Sequence, residues 1–253
     1  PATMLEFLQQ GEAAMSLARA LLPGAPAAHS VHDVVLKAPL PNPSKVVAIG
    51  LNYMDHCRES GTPPPSSPVI FTKFTTSIIG PGETIRWDPA LTAKVDYEAE
   101  LGVVFGKTAR RVSEATALDY VAGYMNANDV SARDLQRGDG QWVRAKSLDT
   151  FCPLGPSLVT ADEIPDPQAL DIRSVLNGQV MQESNTKEMI FSVRYLIAFA
   201  SRAFTLLPGD ILITGTPHGV GSGRTPPVFL KSGDTITIEV EGLGSLRNRC
   251  QED

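Results

Sequence analysis

The sequence is poor in cysteine, in long hydrophobic runs and in clustered positive charge, and each shortage excludes a class of protein. Its three cysteines, Cys57, Cys152 and Cys250, lie far apart and form no CxxC pair. Such a set builds neither a disulfide framework nor a zinc–thiolate site, and it fits a reducing compartment. No segment approaches the roughly 18 consecutive apolar residues that a membrane-spanning helix needs. We therefore expect no membrane partner.

The charge balance also argues against a nucleic-acid partner. The formal net charge is -6 and the sequence pI is about 5.3, with no run of Lys and Arg to follow a phosphate backbone. The composition is that of a globular protein with a real core, and 253 residues allow one large domain with a small appendage. The first residues do not resemble a signal peptide. We expect a cytoplasmic location, or the mitochondrial matrix if a presequence precedes Pro1.

Residues 1–41 are predicted to form a helical appendage, and residues 42–253 the main domain. Thr3 and Glu6 form a capping-box pattern before an Ala/Leu-rich helix that ends near Leu22. Proline-containing breaks at 23–26 and 39–43 follow. The appendage carries no cluster of chemically reactive residues.

The main domain is predicted to be mostly β. Asn177 and Gly178 lie between two half-apolar runs and predict a hairpin, because a type I′ turn needs positive φ at both central residues. One late helix begins after the N-cap Ser192 and has an apolar face at helical spacing. Strands and helices do not alternate regularly, so a doubly wound parallel sheet is not expected. The predicted class is α+β with flanking helices.

An acidic strand is the most informative segment. In residues 95–104, alternation places apolar side chains on one face and Asp96, Glu98 and Glu100 on the other. Neighbouring carboxylates repel one another unless water, a cation or basic side chains screen them. A solvated sheet face is one interpretation. The apolar continuation of the strand to Gly106 favours a buried strand and a cation site.

Asp129 adds a third carboxylate at a predicted junction between a strand and a helix. Ser131 is predicted to cap that helix with Asp134 at its third position, and Asp129 can contribute to the cap as well as to a site. If Glu98, Glu100 and Asp129 meet, their oxygen ligands select Mg²⁺, Mn²⁺ or Ca²⁺. Three monodentate carboxylates leave coordination positions open, which indicates catalysis.

Other polar residues give weaker signals. His56 and Glu59 are three residues apart on a predicted short helix, so they can form a pair that activates water. The Pro/Ser/Gly-rich residues 60–68 that follow are typical of a lid. The glycine-rich residues 215–221 lack the helix or the Lys of a nucleotide loop, and with Thr214 and Thr216 they suit a carboxylate better.

Five segments together resemble the fumarylacetoacetate hydrolase family over residues 4–249, nearest to its domain-containing protein 2 branch. In chain order they are Gly50-Leu51-Asn52-Tyr53-Met54-Asp55-His56, Asp96-Tyr97-Glu98-Ala99-Glu100-Leu101, Asn128-Asp129-Val130-Ser131-Ala132-Arg133-Asp134, Lys146-Ser147-Leu148-Asp149-Thr150-Phe151 and residues 213–221. The resemblance implies a mixed β-roll or sandwich fold of the fumarylacetoacetase C-terminal type. It also implies a homodimer.

The same resemblance implies a set of site residues. It implies Mg²⁺ or Mn²⁺ bound by Glu98, Glu100 and Asp129. It implies a His56–Glu59 dyad on a lid that orders with ligand, and a Lys146 that contacts the substrate or its enolate. Its residues for the substrate carboxylate match Arg133, Gln136 and Thr216.

The family unites around small 2-oxo acids and a metal-stabilised enolate, which leaves several reactions open. One group is C–C hydrolysis of acylpyruvates and other β-diketo acids, or decarboxylation of oxaloacetate. The other is keto–enol tautomerisation of oxaloacetate, or isomerisation of a 2-hydroxydienedioate. A protein that binds a cation and an anion without turnover is a further alternative.

Overall fold

The computed structural model describes residues 1–253, apart from the side chain of His32. The α-helices are α1 Met4–Gln9, α2 Glu12–Leu21, α3 Met54–Ser60, α4 Arg133–Asp139, α5 Val143–Lys146 and α6 Val193–Ala203. The strands are β1 Val46–Gly50, β2 Val69–Lys73, β3 Ile78–Ile79, β4 Thr84–Trp87, β5 Val95–Asp96, β6 Ala99–Phe105, β7 Val121–Asn128, β8 Ser131–Ala132, β9 Cys152–Thr160, β10 Asp171–Leu176, β11 Gln179–Asn185, β12 Ile211–Ile213, β13 Thr235–Val240 and β14 Ser245–Glu252. Short 3-10 turns connect several of them, the longest being Glu114–Tyr120.

Two mixed sheets form the body of the molecule. The seven-stranded sheet has the order β2-β1-β12-β6-β7-β9-β3, and the five-stranded sheet has the order β11-β10-β13-β14-β4. The main core lies between them and contains Leu101 and Val103 of β6 with Ile236 and Ile238 of β13. One face of each sheet therefore packs against this core, and strand β6 of the larger sheet is buried on both of its faces. The α+β class with predominant β structure is confirmed.

The N-terminal helices pack on the outer face of the seven-stranded sheet. Thr3 caps α1 by accepting a hydrogen bond from the Glu6 amide at 3.1 Å, as predicted. The predicted single helix is wrong, because the chain breaks at Gly11, where φ is 61°. Leu8 and Leu40 are buried in a second apolar cluster with strand residues of this sheet. A division of the chain after residue 41 stays a prediction.

Two local predictions are confirmed in β10, β11 and α6. Asn177 and Gly178 turn between β10 and β11 with φ values of 51° and 85°. Ser192 caps α6 by accepting a hydrogen bond from the Tyr195 amide at 3.2 Å. Among the residues that the structure describes, no helix is long and apolar enough to cross a membrane.

The acidic segment is not one continuous strand. β5 ends at Asp96, the chain leaves the sheet at Tyr97 and Glu98, and β6 begins at Ala99. Glu98 and Glu100 are only 5% and 1% exposed to solvent, so the interpretation as a solvated sheet face is wrong.

The predicted cap at the start of α4 is also wrong. Ser131 and Ala132 form β8, which pairs with β5, and Ala132 precedes the helix without a side-chain cap. The Ser131 hydroxyl donates to the Asp129 carbonyl at 2.8 Å, and Asp134 accepts from the Thr92 hydroxyl at 2.6 Å. Pairing with β5, in a separate two-stranded sheet, outweighs the local capping preference.

Candidate active site

Three carboxylates converge where β6 and β7 meet. β6 pairs with β7 in antiparallel register, with Ala99 opposite Asn128. Glu98 directly precedes β6 and Asp129 directly follows β7, so the register brings them together with Glu100. One oxygen from each of the three lies within 4.8 Å of the others, and all three residues are buried. The structure thus brings together the three predicted metal ligands.

Main-chain hydrogen bonds fix these carboxylates in place. The Asp129 amide donates to the Glu98 carbonyl at 2.9 Å, and the Glu98 amide donates to the Asn128 side-chain oxygen at 3.0 Å. The Gly215 amide donates to Glu100 Oε2 at 2.7 Å. The glycine-rich segment is therefore attached to the carboxylate cluster, so its conformation and that of Glu100 depend on each other.

Three buried basic side chains surround the cluster. Lys146 Nζ donates to Glu98 Oε2 at 2.6 Å and to Asp129 Oδ2 at 2.7 Å. Arg133 Nη2 lies 2.7 Å from Glu98 Oε1. Lys73, which the sequence interpretation missed, forms a fully buried ion pair with Asp129. The signal for it was a lysine that ends the otherwise largely apolar strand β2.

The carboxylates differ strongly in their acidity. Burial raises the pKa of Glu98, but Lys146 and Arg133 outweigh it and lower the value to about 2. Burial and the charges of Asp129 and Glu98 raise the pKa of Glu100 well above its ordinary value. Burial lowers the pKa of Lys146, but Asp129 and Glu98 prevail and raise it. Lys146 is therefore an ammonium group at neutral pH, and Glu100 is the carboxyl that lacks compensation.

The uncompensated Glu100 fits a cation site. Its described hydrogen bond comes from an amide, whereas Glu98 and Asp129 each contact basic side chains. A hard divalent cation would lower the cost of ionising Glu100 next to two like charges. The all-oxygen donor set agrees with Mg²⁺, Mn²⁺ or Ca²⁺ and disfavours softer metals.

The predicted dyad lies on α3. His56 Nδ1 is 3.3 Å from Glu59 Oε2, and Glu59 Oε1 accepts a hydrogen bond from the Gly219 amide at 2.9 Å. Burial raises the pKa of Glu59, but the hydrogen bonds from His56 and Gly219 outweigh it and lower the value. Glu59 faces Nδ1 of His56 and can accept its hydrogen, which would leave Nε2 as the acceptor nitrogen of the ring.

Asp55 attaches the same helix to two other elements, and no local pattern predicted these contacts. Its Oδ2 accepts a hydrogen bond from the Ser184 hydroxyl at 2.5 Å and lies 3.0 Å from His218 Nδ1. Ser184 lies in β11 and His218 in the glycine-rich segment. Together with Glu59, Asp55 fixes α3 against the segment that holds Glu100.

The three residues predicted to bind a substrate carboxylate are already partly engaged. Arg133 Nε donates to Asp96 Oδ2 at 2.8 Å, and its Nη1 donates to Gln136 at 2.9 Å. The Thr216 hydroxyl donates to the Ala99 carbonyl at 2.9 Å and accepts from Gln182 at 2.8 Å. The Thr216 hydroxyl already donates its hydrogen to Ala99. Thr216 therefore shapes the site, and neighbouring residues must donate to a substrate carboxylate.

A cavity of about 100 Å³ opens onto these groups. Every predicted site residue except Glu59 and Asp129 lines it, and those two contact His56 and Glu98 respectively. The remaining lining is apolar and consists of Ile49, Gly50, Leu51, Phe71 and Trp142. Such a cavity, with an acidic cluster, an ammonium group and an imidazole, has the components to bind and activate a small acid.

Comparisons with known proteins agree with this arrangement. The family model described as fumarylacetoacetate (FAA) hydrolase C-terminal matches residues 45–251. The chain is 48% identical over 250 residues to oxaloacetate tautomerase fahd2, mitochondrial, of Xenopus laevis, covering 98% of this chain and 78% of that protein.

Two solved structures share the fold. The 2-hydroxyhepta-2,4-diene-1,7-dioate isomerase of Mycobacterium marinum is 43% identical, with a TM-score of 0.78, and the match covers 90% of this chain and 82% of that one. The maleylpyruvate hydrolase of Sphingobium is 32% identical, with a TM-score of 0.85, and the match covers 99% and 86%. These three similar proteins are named for three different reactions: tautomerisation, isomerisation and hydrolysis.

Proposed function

The chain belongs to the fumarylacetoacetate hydrolase family, and from that premise we propose that it is a divalent-cation enzyme acting on small 2-oxo acids. The proposed reaction is the keto–enol tautomerisation of oxaloacetate. Its main support in the molecule is the buried cluster of Glu98, Glu100 and Asp129 beside the Lys146 ammonium group. The name of the Xenopus laevis relative supports the choice of reaction.

The three carboxylates are the proposed cation ligands. A bound Mg²⁺ or Mn²⁺ would supply Lewis acidity toward the oxygen of a 2-oxo group. The protein's own contribution is to bring the three carboxylates to one point and to keep Glu98 ionised through Lys146 and Arg133. The choice between Mg²⁺ and Mn²⁺ stays a prediction, with Ca²⁺ as a further occupant.

Lys146 is proposed to donate to the oxygen that gains negative charge in the reaction. A lysine ammonium group has three N–H donors, and Glu98 and Asp129 take two of them. The third is free for a substrate oxygen, because Lys146 lines the cavity. Since its pKa is raised, Lys146 stabilises charge as a donor and does not accept the proton.

His56 is proposed as the group that accepts and returns the proton. Glu59 holds its Nδ1 side, which leaves Nε2 basic and on a residue that lines the cavity. In tautomerisation this proton moves between carbon and oxygen of the substrate. Arg133 and Gln136 are proposed to hold the substrate carboxylate, with Thr216 completing the wall.

Hydrolysis of a C–C bond in acylpyruvates is the second candidate. The His56–Glu59 contact at 3.3 Å favours it, because the same dyad can take a proton from water. The solved maleylpyruvate hydrolase of the same fold gives it further support. Decarboxylation of oxaloacetate and isomerisation of a 2-hydroxydienedioate need the same stabilised charge and remain within the proposal.

A homodimer is proposed on the family resemblance alone. For the compartment, several of the similar proteins carry the word mitochondrial in their names, which supports the matrix for this chain. Cytoplasm remains the alternative that the dispersed cysteines permit.

The proposal is tested by following oxaloacetate by ultraviolet absorbance with Mg²⁺ and then with EDTA. We expect the enol to disappear rapidly only when the cation is present, and we expect no release of pyruvate. Acetylpyruvate serves as the parallel substrate, and its cleavage would favour the hydrolase. Tight oxalate binding without turnover of either substrate would reduce the protein to a binding role.

The metal assignment has its own variant. Glu98→Ala is expected to abolish cation binding and activity together, because it removes one of three ligands and leaves Lys146 with an incomplete partner set. Full activity of the wild-type protein in metal-free buffer would refute the assignment.

A further inference from the structure

The apolar part of the cavity wall contains one large side chain whose position is fixed from both sides. Trp142 directly precedes α5, and its carbonyl accepts the hydrogen bond of the Lys146 amide at 3.0 Å. Trp142 therefore lies one helical turn before Lys146, the residue that carries the ammonium group of the proposed site. It lines the cavity together with Lys146.

The first contact that fixes the ring is with Gly50, the last residue of β1. A Cβ atom built on Gly50 would overlap the six-membered ring of Trp142. Gly50 is not among the residues with positive φ, so backbone conformation does not explain a glycine here. The close approach of the ring does explain it, because any other side chain would displace the indole.

The second contact is with Phe71 of β2. The two rings meet edge to face, with centroids 5.5 Å apart and an interplanar angle of 72°. Lys146 Nζ in turn lies 5.3 Å from the centroid of Phe71. Trp142, Phe71 and Lys146 thus form one packed row, and the ring cannot move without disturbing the residue next to the chemistry.

Leu51 and Trp142 are the two partly buried side chains of the apolar wall that lie outside the sheet strands, and Trp142 is the larger of them. Ile49 and Phe71 belong to sheet strands and are 1% and 7% exposed, so their positions are set by the core. Gly50 has no side chain. Trp142 reaches the cavity from outside the sheets and is only partly buried. Removal of its ring would therefore enlarge the cavity without removing a residue of the main core.

We propose that Trp142 is the specificity-determining residue that limits this enzyme to short 2-oxo acids and excludes the longer 2-hydroxydienedioates named above. The inference rests on the proposed function, since it assumes a 2-oxo acid on the carboxylate cluster. A cavity of about 100 Å³ holds few atoms beyond such a group. A longer chain would have to extend into the space that the indole fills.

The test uses oxamate, an unreactive mimic of a 2-oxo acid, and its N-ethyl, N-butyl and N-hexyl derivatives. Affinities are measured by calorimetry with saturating Mg²⁺ for the wild type and for Trp142→Ala. A pocket that fits its ligand closely loses about tenfold or more in affinity for each added methylene group. Wild-type affinity should therefore fall by at least about tenfold from oxamate to N-butyl oxamate. In Trp142→Ala the two should bind within about threefold of each other.

Two further variants keep the experiment decisive. Trp142→Phe retains an aromatic wall and should shift the affinity ratio in the same direction by a smaller factor. Phe199→Ala removes an aromatic ring of α6 that stacks on Tyr195 away from the cavity, and it should keep the wild-type ratio.

The outcomes separate the inference from the function on which it rests. A wild-type ratio in both Trp142 variants, with oxamate still bound, would overturn the role of Trp142 and leave the proposed function intact. Failure of oxamate itself to bind wild-type protein with Mg²⁺ would overturn both.

Discussion

The side chains of Lys73 and Asp129 form an ion pair in which neither has any exposed surface. Lys73 also donates to the Val130 carbonyl at 3.3 Å, so its charge is directed entirely at the segment that carries the proposed metal ligand. A buried ion pair of this kind is costly to break from one side, because the remaining charge has no water to solvate it.

We expect Lys73→Met to lower the free energy of unfolding by about 3–5 kcal/mol, since it leaves Asp129 short of one partner in the interior. Urea denaturation measures the change. The double variant Lys73→Met with Asp129→Asn should recover much of that stability but should not bind the cation. Equal stability of Lys73→Met and wild type would show that the pair contributes nothing.

Cation binding should release a proton. The pKa of Glu100 is raised well above its ordinary value of 4.5, whereas a cation needs the ionised carboxylate. Calorimetry of Mg²⁺ binding in buffers of different ionisation enthalpy measures this release, and affinity should fall as the pH falls. Glu100→Gln should bind Mg²⁺ more weakly and release no proton from this position.

The same group sets a pH dependence of stability in the metal-free protein. A raised pKa means that the folded chain holds its proton more tightly than the unfolded chain does. Glu100 therefore stabilises the fold below its ordinary pKa, and this contribution is lost as the pH rises through the raised value. Thermal melts from acid to neutral pH should show that loss, and saturating Mg²⁺ should offset it.

His56→Ala should leave Mg²⁺ affinity almost unchanged and should reduce acylpyruvate hydrolysis by about 100-fold or more, the range typical of a lost general base. Glu59→Gln should reduce it less, because the imidazole stays in place while its orienting charge is lost. Hydrolysis at the wild-type rate in His56→Ala would remove the dyad from the mechanism. If tautomerisation alone persisted, a group other than His56 would carry the proton in that reaction.

Asp55→Ala should loosen α3 without touching the carboxylate cluster, since it removes the contacts with Ser184 and His218. We expect faster amide exchange across Met54–Ser60 and a higher KM. The matched control is Arg58→Ala on the same helix, whose exposed ion pair with Glu188 contributes about 1 kcal/mol at most. Identical exchange in both variants would contradict the role of Asp55.

The local features of the fold were accessible from the sequence because they depend on neighbouring residues. The turn at Asn177, the caps at Thr3 and Ser192 and the pairing of His56 with Glu59 all join residues a few positions apart. Glu98 and Glu100 were found for the same reason, although the strand that carries them breaks between Asp96 and Ala99. The break depends on β5 pairing with β8, which alternation does not encode.

The parts that escaped prediction join residues far apart in the chain. Lys73 meets Asp129 across 56 positions, and Asp55 meets His218 across 163. Such contacts depend on the order of strands within the sheets. The local sequence pattern also does not predict that the Thr216 hydroxyl hydrogen-bonds to Ala99 and Gln182.

The β6–β7 pairing has a consequence for the way the chain folds. The antiparallel register of these two strands alone brings Glu98, Glu100 and Asp129 together, whereas Lys73 and Lys146 arrive from separate segments on either side of them in sequence. An early hairpin of β6 and β7 would gather the negative charges before their partners are in place. Divalent cations present during refolding should therefore accelerate it, acting as a temporary counter-charge for that hairpin.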